Sequence, residues 1–192
     1  MNRKEAISRS IESHITALRS LSGQAGTIDR IVGVMQAALD SGAKIMTCGN
    51  GGSAAEALHL AEEMIGRFSR DRDPLSALSL SADPTAITCI SNDFGFEQVF
   101  ARQVRGLGRK GDVLIALSTS GRSVNIVAAL EAARELGITT IGLLGRPGSA
   151  AEHHCDIAMT PDAANGAHIQ EMHLMTIHLI LEQLEPKPRP EA

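Results

Sequence analysis

The sequence predicts an α/β protein, a three-layer α/β/α doubly wound parallel sheet of five strands preceded by an N-terminal helical hairpin. Three observations predict it. From Lys44 onward, short apolar runs alternate with helix-length segments, the pattern of a parallel sheet covered on both faces. The strand runs are almost continuously apolar, as in Val113-Leu114-Ile115-Ala116-Leu117, which suits strands buried on both sides. Two of the runs end in loops that lead straight into helices: Cys48-Gly49-Asn50-Gly51-Gly52-Ser53 and Ser118-Thr119-Ser120-Gly121-Arg122-Ser123. In such sheets ligands bind beyond the carboxyl ends of the strands, where both loops lie.

Each element follows in order. Residues 3–21 and 27–41 carry apolar positions at helical spacing. Gly23 and Gly26 break them, and Thr27 is placed to cap the second helix. Neither helix holds an obvious reactive group. Their apolar stripe needs cover, and a bundle with another subunit is one way to supply it. Residues 1–42 are therefore an oligomerisation hairpin, 43–185 the α/β domain and 186–192 a proline-punctuated, disordered tail. Strands are expected at 44–48, 76–81, 112–117, 139–144 and 156–159. Helices are expected at 53–67, 84–91, 96–107, 123–136 and 167–184.

Composition narrows the function classes. A chain of 192 residues suits one domain with a sizeable core. Hydrophobic residues make up 43% and charged ones 21%, an ordinary globular balance. Aromatics are 2%, so the core is built from aliphatic side chains and base-stacking platforms are missing. The net charge of -4 argues further against nucleic acid as a partner. Cys48, Cys89 and Cys155 have no metal-binding spacing, and Cys48 and Cys89 sit in apolar runs as buried thiols. Three such cysteines fit a reducing cytoplasm. No apolar signal-peptide core follows Met1, and no run approaches the about 20 apolar residues of a membrane span.

The loops carry the chemistry. In the first, glycines allow a tight turn with exposed amides, and Ser53 stands at the N-cap position, so an anion is expected there. His59 and Glu63 are four apart and share one face of the following helix. Alone, such a pair is more often a solvated or capped helix face. The second loop offers four hydroxyls and a glycine, which bind a phosphate without a lysine or, alternatively, cap a helix through Ser120 or Ser123. A Walker A loop is excluded. Gly49-x-Gly51-x-x-Ala54 followed by Asp83 approaches a dinucleotide fingerprint, but the hydroxyl-rich second loop is not what a nicotinamide site requires. The last helix carries Gln170, Glu171, His173 and His178. Gln170 and His178 stand about 12 Å apart along its axis, so they meet only by leaning together. Asn92-Asp93-Phe94-Gly95-Phe96 reads as a loop, where an Asp serves turn geometry or accepts sugar hydroxyl protons. His153-His154 beside Cys155 has poor metal-ligand spacing and reads as a loop.

Taken together, CGNGGS, LHLAEEMIGR, SNDFGF, STSGRS and IQEMHLMTIH, in this order, resemble the phosphoheptose isomerases of the sugar isomerase (SIS) domain superfamily. The similarity covers most of the chain. It implies conversion of sedoheptulose 7-phosphate to D-glycero-D-manno-heptose 7-phosphate, early in bacterial lipopolysaccharide heptose synthesis, by a homotetramer with active sites at subunit interfaces. It implies Glu63 and His178 as catalytic residues. It implies substrate binding by Asn50, Gly51, Gly52, Ser53, Glu63, Asn92, Asp93, Ser118, Thr119, Ser120, Ser123 and Gln170. It also implies one zinc per subunit held by His59, Glu63, Gln170 and His178. The residue types suit an enediol mechanism, in which a base takes a carbon-bound proton and an acid serves the neighbouring oxygen. Glu63 receives two roles that compete, because a carboxylate on zinc is a weaker base. Ala167-His168 departs from the acidic or arginine-containing turn common in the family. A non-catalytic relative that binds the replication initiator, and a regulator that senses a sugar phosphate, share the fold. Glu63 and His178 favour the enzyme.

Overall fold

The computed structural model describes residues 2–185. It is a five-stranded, all-parallel sheet in the order β2-β1-β3-β4-β5, made of β1 (Ile45–Gly49), β2 (Ala77–Ser79), β3 (Val113–Ser118), β4 (Thr139–Leu144) and β5 (Ile157–Met159). The helices are α1 (Arg3–Ser20), α2 (Ala25–Asp40), α3 (Gly52–Ile65), α4 (Pro84–Phe94), α5 (Ala101–Leu107), α6 (Val124–Glu135) and α7 (Gly166–Leu184). Strand residues alternate between two cores, as a period of two requires. Ile45, Val113, Ile115, Leu117, Ile141 and Leu143 pack with α2, α3 and α7. Met46, Cys48, Leu114, Ala116 and Leu144 pack with the α5–α6 side. The reversal of strand order lies between β1 and β3, so the helices that follow them, α3 and α6, cover opposite faces. A crevice opens at that switch point.

The strand starts are locked by one buried acid. Asp112 accepts from the Lys44 backbone N–H at 3.0 Å, the Lys44 ammonium at 2.5 Å and the Arg109 N–H at 2.8 Å. Burial pushes its pKa up, but these donors outweigh burial and hold the carboxyl below the usual range.

Several local expectations give way to tertiary structure. The break at 22–26 is a single 3-10 turn, Leu21–Gln24, whose flanking dihedrals stay in the helical region. The two helices therefore form one jointed arm rather than a tight hairpin, and α2 starts at Ala25 with Thr27 inside it and not capping it. The arm rests on α7: His14 stacks on His168 with ring centroids 3.8 Å apart, and the His14 imidazole also pairs with Glu171. Gly51, not Ser53, is the N-cap of α3. Asn92, Asp93 and Phe94 form the last turn of α4 and not a loop, because Asp83 and Pro84 start that helix firmly and Gly95 ends it. Cys48 is buried as expected, whereas Cys89 is exposed on α4, which buries no side chain fully. His153 and His154 lie in a short 3-10 turn. The tail expected at 186–192 lies outside the described residues.

Replacing Asp112 by Asn should destabilise the fold by about 1.5–3 kcal/mol at pH 7, since charge-assisted bonds to a buried carboxylate are lost. A depressed folded pKa stabilises above the unfolded value and that contribution is lost as pH falls through the folded one. The difference between the Asn variant and wild type in urea unfolding should therefore shrink on acidification. A constant difference from pH 7 to pH 3 would remove Asp112 from this role.

Candidate active site

Two helices from distant parts of the chain build the site by running side by side in the same direction. At the start of α3, Gly51 has φ +55°, open to glycine at little cost. A Cβ on the next residue, Gly52, would meet the terminal amide of Gln170, so the Gln170 side chain of α7 lies directly against the start of α3. Two turns on, His59 Nε2 lies 3.0 Å from His178 Nε2. Further on, the backbone N–H groups of Ser69 and Arg70 donate to the Glu185 carboxylate at 2.8 and 3.0 Å. The α3–α7 seam is thus pinned at its beginning, middle and end.

At the beginning of the seam is a small cavity of about 70 Å³. Asn50, Ser53, Leu117, Ser118, Thr119, Ser123 and Gln170 line it. Six of these seven were expected from sequence, and they come from the ends of β1 and β3, the starts of α3 and α6, and α7. The hydroxyls are prepared as donors. Ser118 Oγ accepts from the Gly121 N–H at 3.0 Å and Ser120 Oγ from the Arg122 N–H at 3.2 Å, leaving each O–H proton to point elsewhere. Ser123 occupies the N-cap position of α6 but makes no side-chain capping bond, so the simple capping alternative does not describe it. Asn50 and Asn125 exchange two amide hydrogen bonds of 2.9 Å, tying the first loop to α6. Asn125, 1% exposed, was missed from sequence; its one signal was a polar residue at a core position of an apolar helix.

In the middle of the seam, three expected residues meet. Glu63 Oε1 is 3.8 Å from His59 Nε2, the same atom that meets His178. Glu62, also missed, lies 3.2 Å from His59 Nδ1. A carboxylate only accepts, so the Glu62 contact suits a proton on Nδ1, and the two Nε2 atoms face each other across the seam. Phe68 stacks against His178 with centroids 5.4 Å apart. Arg72 donates to the carbonyls of Glu63 and Met64 at 2.8 and 2.9 Å and anchors the end of α3. The donor set fits zinc: ligand atoms of His59, Glu62 and Glu63 lie within 4.8 Å of one another, and His178 Nε2 converges on them. Were zinc held there, Glu62 on Nδ1 would be the outer partner that orients the imidazole.

Not every expected residue gathers there. Gln170 stands at the anion cavity against Gly52, away from the two imidazoles, as its spacing from His178 along α7 demands. Asn92 and Asp93 are exposed; the Asn92 amide donates to Asp93 at 2.8 Å and neither lines the cavity. His168 is engaged by Ser13 and His14 of α1 and does not line the cavity.

The chain also matches known proteins. A family model described as SIS domain matches residues 10–145. The chain is 51% identical over 148 residues to the phosphoheptose isomerase of a Nitratiruptor species, covering 77% of this chain and 79% of the relative. The chain belongs to the phosphoheptose isomerase family of SIS-domain enzymes. Solved phosphoheptose isomerases superpose closely. The one from Neisseria gonorrhoeae has a TM-score of 0.90 at 36% identity, covering 95% of this chain and 98% of that one. The one from Francisella tularensis has a TM-score of 0.92 at 34% identity, covering 96% and 98%. Within this family of sugar-phosphate isomerases, the hydroxyl-lined cavity and the imidazole–carboxylate cluster are the two chemical features the seam brings together.

One acid on the seam is out of balance. Glu56 is 8% exposed and its buried Oε2 has no hydrogen-bond partner. Burial pushes its pKa up to about 7, against a smaller opposing effect of the Ser53 hydroxyl. A carboxyl whose folded pKa is raised destabilises as pH rises from the unfolded value toward the folded one. Glu56→Gln should therefore raise the melting temperature at pH 8 and leave it nearly unchanged at pH 5. An equal effect at both pH values in thermal unfolding would show that Glu56 is not protonated in the folded state.

Proposed function

We propose that this protein isomerises sedoheptulose 7-phosphate to D-glycero-D-manno-heptose 7-phosphate through an enediol, in the cytoplasm, on the route to lipopolysaccharide heptose. The observation that carries this reading is the convergence of Glu63, His59 and His178 on one seam with a hydroxyl-lined cavity. Family membership supplies the substrate class, and the relatives' names supply the heptose. Among the described residues no helix is long and apolar enough to cross a membrane. Neither non-catalytic alternative, initiator binding or sugar-phosphate sensing, calls for a carboxylate and an imidazole converging on one seam.

The phosphate is held by Ser118, Thr119, Ser120 and Ser123, whose free O–H groups and the positive end of α6 face an anion. Asn50, Gly51, Gly52, Ser53 and Gln170 line the path from there toward the reacting carbons, and Asn92 and Asp93 reach a substrate only from a neighbouring copy. Glu63 takes the proton from C1 of the ketose. His178 gives its Nε2 proton to the C2 oxygen, forming the enediol. His178 then recovers a proton from the C1 oxygen, and Glu63 returns its proton to C2, so no atom is gained or lost. His59, Glu63 and His178 would hold one zinc, with Gln170 at the other end of the path and Glu62 as the orienting partner. Bound there, zinc supplies carbonyl polarisation and stabilises the enediolate. Base action and zinc ligation compete for Glu63, and proton transfer and ligation compete for the same Nε2 of His178, so turnover and metal occupancy should be separable.

The assembly we propose is a homotetramer in which the arm of α1 and α2 packs on other subunits. Ile7, Ile11 and Leu18 stand half-exposed at helical spacing on α1. A groove of about 520 Å³ between the arm and α7 is lined by Leu18, Leu21, Ile28, Val32, Met175 and Leu179. An apolar stripe beside an apolar groove marks an interface. Ile7→Asp with Ile11→Asp should lower the assembly's mass in light scattering; an unchanged mass would exclude the α1 stripe from the interface.

Glu63→Gln should abolish isomerisation, by about 10²–10⁴-fold or more, while sedoheptulose 7-phosphate still binds. An aldose product at wild-type rate from that variant would refute the assignment. His59→Ala should release zinc as measured by metal analysis of the purified protein, and retention of one zinc per subunit would remove His59 as a ligand.

A further inference from the structure

Glu56 has no role in the mechanism above, yet it lies on the same seam. It follows Gly52 by four residues and precedes His59 by three, so helical spacing puts it on the α7-facing side, between the anion cavity and the two imidazoles. Ser53, one turn before it, lines the cavity. The Glu56 carboxyl is buried with Oε2 unpartnered. A buried carboxylate in that state is costly, and a neutral carboxylic acid with a proton to donate is not. A phosphate bound a few ångströms beyond Ser53 adds a like charge and favours the neutral acid further.

We propose that Glu56 is a positioning residue for Ser53: in the ligand complex it is the neutral acid, donates its O–H to Ser53 Oγ, and so turns the Ser53 hydroxyl proton toward the bound phosphate. Ionised, Glu56 draws that same proton back to itself and presents a lone pair of Ser53 to the anion instead. The hydroxyl thus reverses its polarity toward the ligand as one proton leaves Glu56. The proposal rests on the reading of the cavity as a phosphate site.

The surroundings leave Glu56 free to titrate on its own. Strands β2 and β3 bring no titratable side chain to α3. Strand β1 turns Thr47, which donates to the Ala57 carbonyl, toward α3 and the Cys48 thiol to the other face, so it adds none either. In the turns opposite, α7 brings His173, pushed down to about 4 by burial and therefore neutral, and His178. On α3 itself His59 and Glu63 lie one and two turns further on. None of these charges shifts Glu56; only burial and the Ser53 hydroxyl do.

Calorimetric titration between pH 6.5 and 8.5 tests this with two probes, sedoheptulose 7-phosphate and sulfate, which is dianionic throughout. A phosphate ester has a second pKa near 6, so its charge changes little over this range. For wild type, Kd should rise on the order of tenfold or more from pH 6.5 to 8.5. Glu56→Gln keeps a neutral donor, so its affinity should match wild type at pH 6.5 and change less than about twofold across the range. Ser53→Ala should bind weakly at all pH values with the same flat profile. A wild-type slope retained in Glu56→Gln, or a flat wild-type profile, would overturn the proposal while tight heptose phosphate binding keeps the substrate reading. Sulfate binding with the expected slope, beside heptose phosphate that binds no better than sulfate, would keep Glu56 and overturn the substrate. No binding of either probe would overturn both.

Discussion

The parallel contact of α3 with α7 is the constraint on which the rest depends. The two helices are separated by 100 residues, and they must lie in register for Gly52 to face Gln170 and His59 to face His178. The register is held from both ends. Gly52 allows contact at the start, and the Glu185 carboxylate ties the chain after α3 to the end of α7. A slip of one residue along either helix would turn its facing side chains by about 100°, and the imidazoles would part. The apolar stripe of Ala57, Leu60, Ala61 and Met64 packs into the same core as Ile177, Ile180 and Leu181, so ordinary burial drives the docking that the polar groups then index.

Much of this was legible in the sequence, for physical reasons that differ by element. The strands were legible because both of their faces are buried, so each reads as an apolar run that nothing else in the chain imitates. The residues of the hydroxyl loop were legible because they lie within six positions of each other and their chemistry is local. His59 and Glu63 were legible as a pair because one helical turn joins them. Their meeting with His178 was beyond spacing arguments and came from family resemblance, since 119 positions of sequence separate the rings.

What stayed hidden was whatever depends on the neighbour rather than on the residue. Asn125 reads as one polar residue in a helix until Asn50 is set against it. Glu62 reads as a solvated acid until His59 turns its second nitrogen outward. Thr27 and Ser53 have capping side chains, but the helix starts moved to Ala25 and Gly52 because the preceding backbone was already helical in one case and a positive-φ glycine had set the turn in the other. His168 reads as a free polar residue at the start of the last helix until its ring is taken up by α1. Propensity set the type of each element, and tertiary contact set its limits.

The distance along the seam also constrains the ligand. Gly52 and His59 are separated by about 10 Å of helical rise, and the anion cavity and the imidazole pair sit at these two stations. A molecule with its phosphate in the cavity and its reacting carbons beside Glu63 must cover much of that length. A ligand held at both stations therefore lies along the seam rather than across it, with its anionic group toward the hydroxyls and its other end toward the imidazoles.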